Sequence, residues 1–538
     1  MKIRDENMDF VKSKTDLFRL IDNEAQTSTS KMVLFLILGT IFLDAYDITI
    51  LGTMTDQLTQ QFHLSPSTLS IVMTSLPIGA LFGALLGGTL AHQFGRKHIL
   101  SIALLTLTVT SLGAALAPNV IILIICRCIM GFAIGMDSPV AFTFIAEISN
   151  LKHKGRNVNY WQVVWYVAIV TSALVVIAFF MLGAGAHLWR YAIGFGALIA
   201  FVLYILRIKY LHESPTWVIN HYSLEKATEF VRKYYHKDIH LEGTLEDDLS
   251  SDVTSPHNSW TDLFKPRYIK RIILATAIST LQGMQYYGVG LYIPIIATYL
   301  ISKDKIGVLL GTAIVNIAGI LGAYLGAQLT YKLGTRKLTM IGFTLVLLSM
   351  VCVGLFYHHL PMLLNTFLIG LFLFGHSGGP GTQGKTIGAL SFPTHLRSQA
   401  TGFVESVSRT GSIIGTFVFP IILAAVGLTN TMLILSIVPL LGIIITVSIK
   451  WEAVGKEYIV EYNATLALND IERSIIRKEL TLAFKRSEVK LSRMERRIIR
   501  LLLNDYKPKE IAMVLNLESK VVYNAIQRSK CKLKRSFE

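Results

Sequence analysis

Two short basic turns set in apolar sequence constrain this chain more than any other feature. One runs from Gly88 to Lys97 (GTLAHQFGRK) and the other from Gly326 to Lys337 (GAQLTYKLGTRK). Each closes an apolar run with small residues, adds a glycine and a basic pair, and opens another apolar run. Such repetition predicts a chain of two related halves. Arg96, Lys97, Arg336 and Lys337 would each cost roughly 2.5–3.5 kcal/mol at the centre of a bilayer. Both turns are therefore expected in water on one side, which the positive-inside bias makes the cytoplasm.

The runs between the turns set the class. Of 538 residues, 52% are hydrophobic and 16% charged, too apolar for a water-soluble globule and long enough for a dozen spans of about 20 residues. Six apolar runs fall between about 32 and 210 and six between about 271 and 449, and only helices satisfy their backbone groups in lipid. The sequence thus predicts an all-α membrane protein of twelve helices in two bundles, 32–210 and 271–450. Around them lie an N-terminal segment 1–31, a central loop 211–270, a linker 451–485 and a tail 486–538. The central loop reads as a short helix, Leu224 to Tyr235, followed by a flexible acidic linker. Basic loops at 92–98, 150–156, 207–270, 331–337 and 395–397 put both termini in the cytoplasm. Residues 1–30 are polar and mixed in charge, unlike a removable signal peptide. The four cysteines lack zinc or disulfide spacing, so no metal or other cofactor is expected. The net charge of +16 fits cytoplasmic loops as well as a nucleic-acid partner.

Over about 30–450 the chain resembles the major facilitator superfamily, in the branch of sugar porters and metabolite:proton symporters. The motifs that carry the likeness are Asp44-Ala-Tyr-Asp47, Gly95-Arg96-Lys97 and Arg127-x3-Gly131-x3-Gly135-x-Asp137-Ser-Pro139, then Glu147, Gly155-Arg156, Glu213-Ser-Pro-Thr-Trp217 and Phe392-Pro-Thr-His-Leu-Arg397. The resemblance implies two six-helix bundles around a substrate cavity with alternating access, and Arg96, Glu147, Arg156, Arg336 and Arg397 as gating residues. His92, Tyr331 and Leu390 stand at or near positions where the family carries acids. Arg96, Arg336 and Arg397 then need other partners: Glu147, Glu213 or lipid phosphates.

Charges inside spans are the leading site candidates, because each is costly unless paired or facing a wet cavity. Asp44 and Asp47 are the expected proton-coupling acids. Arg127 and Arg409 either pair with Asp44, Asp47 or Asp137 or clamp a substrate carboxylate. Lys385 either joins the site or snorkels to the interface. Gln162 beside Trp161 and Trp165, then Gln282, Gln285, Tyr286 and Asn316, offer amides and phenols that suit a hydroxylated or carboxylate substrate and equally suit helix contacts.

The last 54 residues hold fifteen Lys or Arg against six Asp or Glu. A capped amphipathic helix from Leu491, a second opened by Pro508 and a third capped by Ser519 resemble the helix-turn-helix of sigma-factor region four and response-regulator output domains. That likeness implies that Lys520, Tyr523, Asn524, Gln527 and Arg528 face DNA. A basic helix lying on anionic lipid is the other reading. The whole sequence reads as a secondary transporter of a small polar metabolite, sugar or organic acid, coupled to protons. It would lie in the inner membrane among lipids, with a DNA-binding tail. The alternative is a membrane-tethered transcription regulator whose transporter-like part senses ligand. No nucleophile, metal cluster or phosphate loop argues for an enzyme.

Overall fold

A computed structural model describes residues 9–11, 14–23, 27–150, 153–235, 237, 239–241, 260–266, 268–300, 305–392, 394–454 and 494. The chain divides after Lys456 into the units Met1–Lys456 and Glu457–Glu538. In the second unit only Met494 is described, so the expected helix-turn-helix and its five DNA-facing residues lie outside the described residues.

In chain order the elements are β1 (Asp9–Val11), α1 (Lys14–Asn23), α2 (Ser28–Thr53), α3 (Thr55–Phe62), α4 (Pro66–Phe94), α5 (Arg96–Ala115), α6 (Val120–Ile148), α7 (Lys154–Met181) and α8 (Leu188–Tyr210). The middle of the chain forms α9 (Pro215–His221), α10 (Leu224–Tyr235) and β2 (Ile239–Leu241). Then come α11 (Ile269–Val289), α12 (Ile293–Leu300), α13 (Lys305–Leu333), α14 (Thr335–Phe356), α15 (Met362–Gly378), α16 (Pro380–Leu390), α17 (Thr394–Leu435) and α18 (Ile437–Ser448). Side-chain caps start several of them: Thr27 accepts from Ser30 N, Ser65 from Thr68 N, Asn119 from Ile122 N and Ser214 from Trp217 N. Gly427, at φ 74°, turns the chain within α17.

Ten helical stretches among the described residues are long and apolar enough to cross a membrane, against twelve expected. The two runs that fall short are α11 and the first part of α17. They are helical but carry Gln282, Gln285, Tyr286 and Tyr287 on one, and Glu405, Ser408, Arg409 and Ser412 on the other. Polarity that faces the protein interior lowers their mean hydropathy without changing their backbone. Large apolar side chains such as Phe82, Val109, Ile121, Leu198 and Leu321 stand exposed, the outer surface expected of helices bathed in lipid.

Within the first set of helices, α2 packs on α7 and α8, α4 on α6, and α5 on α6 and α8. Within the second, α11 packs on α16, α17 and α18, while α13 and α14 pack on α15. The sets meet where α4 lies on α17 and α7 on α13. The α4–α6 contact is backbone-close: a Cβ at Gly79 would come within 2.0 Å of Cys128 O, and one at Gly131 within 2.0 Å of Leu76 O.

Three local features add to the helical frame. A short two-stranded sheet joins β1 to β2 in parallel, Phe10 opposite His240. The N-terminal segment meets the middle of the chain, since α1 packs on α9 and α10 and buries Leu17 and Ile21. Residues 451–454 pack onto the helices. Ala453 and Val454 are buried, and Trp451 Nε1 donates to Ser391 Oγ at 2.8 Å.

The two basic turns share one design. Gly95 and Gly334 have φ of 93° and 82°, the left-handed region that glycine enters freely. Behind each sits a carboxylate from the end of its own half. Glu213 accepts from Arg96 N at 2.9 Å and Lys97 N at 3.2 Å. Glu452 accepts from Thr335 N at 2.8 Å and Arg336 N at 3.1 Å. Each acid thus caps the positive N-terminal end of the following helix. A Cβ at either glycine would lie 2.4 Å from that carboxylate.

Candidate functional site

A small polar cavity lies between the two sets, lined by both. From the first set α2 contributes Asp44, α6 Ser138 and Phe142, and α7 Trp161, Gln162 and Trp165. From the second, α11 contributes Gln282, Tyr286 and Tyr287, α15 His376, α16 Lys385, and α17 Glu405, Ser408, Arg409 and Ser412. Its volume is about 40 Å³, room for a few water molecules and well below the roughly 300–1,000 Å³ of pockets that enclose a drug-sized ligand.

Local backbone breaks aim the polar groups. The α15–α16 break at Gly379-Pro380 separates His376 from Lys385. The short 3-10 turn Gly290–Tyr292 ends α11 just past Tyr286 and Tyr287. Aromatic rings form one wall: Trp165 Nε1 donates to the Tyr286 hydroxyl at 3.2 Å, and the Tyr286 and His376 rings stack with centroids 5.0 Å apart. Lys385 Nζ stands 5.9 Å from both the Phe142 and Trp161 rings and forms an ion pair with Glu405. Arg409 faces Asp44 and the Tyr287 hydroxyl.

Of the residues singled out from sequence, Asp44, Trp161, Gln162, Trp165, Gln282, Tyr286, Lys385 and Arg409 line this cavity. The others lie elsewhere. Asp47 is buried with neither carboxylate oxygen hydrogen-bonded, and the Arg127 guanidinium is the charge it faces. Asp137 pairs with Arg207, its Oδ1 3.0 Å from Nη1, and with neither Arg127 nor Arg409. Gln285 Nε2 is 3.0 Å from His376 Nδ1, and Asn316 Nδ2 donates to Thr312 O at 2.7 Å.

The residues named for gating are distributed over both turns. Arg96 is buried, with Nη2 3.0 Å from Glu147 Oε1 and Nη1 3.1 Å from Ala91 O. Glu147 also accepts from the Ser214 hydroxyl and faces Arg397. Arg156 is half-buried. Arg336 instead caps the end of α18, donating to Thr446 O at 2.8 Å and Val447 O at 2.9 Å, a favourable place for a cation. Burial raises the Glu213 carboxyl above its ordinary pKa, against the opposing pull of the N–H groups it accepts from. Beside the first turn, Trp217 Nε1 donates to His92 O at 3.0 Å.

Three buried ionisable residues escaped the sequence reading, one outside the cavity and two in its lining. Arg207 looked like loop charge, yet it is fully buried, with Leu100 O, Leu36 O, Thr40 and Asp137 around it. Glu405 sits four residues before Arg409 on one helical face, a spacing that would have identified it. His376 carries no sequence signal beyond a lone histidine in an apolar run.

A charge-bearing cavity lined by two sets of membrane helices fits a carrier. Residues 32–463 match the sugar (and other) transporter family, and the chain belongs to that family, whose members are transporters and not enzymes. It is similar to the inner membrane metabolite transport protein YgcS of Escherichia coli (strain K12), 28% identical over 411 residues, with 76% of this chain and 88% of that protein covered. It is also similar to the arabinose-proton symporter of Bacillus subtilis (strain 168), 26% identical over 430 residues and covering 77% and 90%. Among solved structures, the proton:xylose symporter XylE bound to 6-bromo-6-deoxy-D-glucose shares the fold, with TM-score 0.64 at 21% identity over 80% of this chain and 98% of that one.

Proposed function

We propose that this chain is a proton-coupled secondary transporter of a small polar metabolite, working by alternating access in the inner membrane. It would use twelve spans, α11 and the first part of α17 being the polar seventh and eleventh. These form two six-helix bundles, 32–210 and 271–450, with both termini in the cytoplasm. The observation that carries the reading is the cavity that both sets of helices line, with ionisable Asp44, Lys385, Glu405 and Arg409 in its walls. Charge buried in a membrane helix is retained where it serves a pathway. The proton-coupled relatives point the same way.

In this scheme Asp44 and Asp47 share the coupling proton: Asp47, buried beside Arg127 and without hydrogen bonds, takes it up and exchanges it with Asp44 at the cavity wall as the bundles rock. Purified protein in liposomes should accumulate a transported metabolite under an inward proton gradient. Asp47→Asn should abolish accumulation while leaving exchange of labelled for unlabelled metabolite. Accumulation unchanged in that variant would reject the coupling role. The DNA-binding reading of 486–538 rests on sequence pattern alone, and the family match ends before it, at residue 463. Full-length protein in nanodiscs should shift a promoter-length duplex, and Arg528→Ala should weaken that shift.

A further inference from the structure

The charges in the cavity are not all in the same state. Lys385 and Glu405 satisfy each other directly. Arg409 is more than nine-tenths buried, lines the cavity, has no acidic oxygen within ion-pair distance among the described residues, and leaves Nε without a hydrogen-bond partner. Asp44 faces it but is loosely held: Oδ1 has no partner, and Oδ2 accepts only a 3.5 Å contact from Ser138. Gln162 Oε1 is also unpartnered. A desolvated guanidinium with open donor capacity is the side chain best shaped for a carboxylate. Neutral hydroxyl ligands do not require one.

Resting on the transport reading above, we infer that the substrate is a small hydroxylated monocarboxylate whose carboxylate docks on Arg409, and that each one crosses with one proton, so that the cycle moves no net charge. The cavity walls carry two acids, Asp44 and Glu405, and two cations, Lys385 and Arg409, so they are neutral as a group when all four are ionised. A monoanion adds one negative charge, and a proton on Asp44 removes it. That carboxyl is faced by Arg409 and Tyr287 from the second set, by Asp137 from α6, and by Asp47 of its own helix. Asp137 is already engaged by Arg207. Glu405 is held by Lys385, so protonation of Asp44 neutralises the remaining cavity carboxylate that faces Arg409 and frees the guanidinium for the substrate. The substrate hydroxyls meet Gln162, Gln282, Ser408 and Ser412.

The test uses the intact protein in liposomes. Gluconate, glucuronate and lactate serve as acids, and glucose and glycerol as neutral counterparts. Uptake of at least one acid should follow an inward proton gradient and stay within about twofold when a potassium diffusion potential of either sign is imposed. Arg409→Gln should lose that uptake at least tenfold, with its melting profile confirming a folded protein. Proton-driven uptake of a neutral sugar that accelerates with an inside-negative potential would overturn the inference and leave the symport reading standing. Failure of all five compounds to accumulate or to stabilise the purified protein would overturn both.

Discussion

The two sets of helices use buried charge differently. In the first, Arg207 of α8 braces Asp137 of α6, and Arg96 at the start of α5 braces Glu147 near the end of α6. Each links helices of one set, outside the cavity lining. In the second, Lys385, Glu405 and Arg409 all line the cavity. The basic turns differ in the same sense. Both are capped by a carboxylate, but only Arg96 goes on to reach a buried acid, while Arg336 spends its donors on carbonyls at the end of α18. A buried pair whose partners are fixed by packing acts as a brace, whereas one beside a wet cavity is free to exchange partners during a cycle.

The largest expected effect follows from breaking a brace. Arg207→Met leaves Asp137 buried without its cation, a change worth about 3–5 kcal/mol. Thermal unfolding in detergent should show it, and Arg207→Met with Asp137→Leu should recover most of the loss. A single variant as stable as the parent would remove the distinction. Next comes the cavity pair. Lys385→Gln should lower uptake about tenfold, equivalent to about 1.4 kcal/mol of barrier, and cost less stability than Arg207→Met because Arg409 stands near Glu405. The caps are smaller: Glu213→Ala and Glu452→Ala should each lose about 1 kcal/mol, read from the same melts.

The smallest effect is a pH dependence confined to one turn. Because burial raises the Glu213 pKa above its unfolded value, the folded protein holds that proton more tightly. The group's stabilising contribution is fully present below the unfolded pKa of about 4.3 and is lost as pH rises through the folded value. Relative to Glu213→Gln, the parent should therefore gain stability as pH falls toward about 4. A difference that stays flat with pH would show that the N–H groups offset the burial completely.

Much of this was legible because a bilayer simplifies the sequence code. Apolar runs and basic turns marked the helices to within a few residues, as at Arg96–Ala115 and Thr335–Phe356. The same logic fails where polarity is functional. α11 and α17 fall short of span hydropathy because their polar faces line the cavity. The rule that isolates costly charges found Asp44, Lys385 and Arg409, which the cavity gathers. It could not sort Asp137 from them, because the partner, Arg207, lay in a stretch that read as cytoplasmic loop. The cap from Glu452 and the pairing of β1 with β2 join segments distant in the chain through few residues, too little for periodicity to register.

The central claim is a watery passage between the two sets, open alternately to each side. In a variant lacking the four native cysteines, Ser412→Cys on the cavity wall should react with a membrane-impermeant thiol reagent applied from outside and, in separate vesicles, from inside. A transported solute should slow both reactions. Reaction from neither side, or at rates that no transported solute alters, would contradict the account.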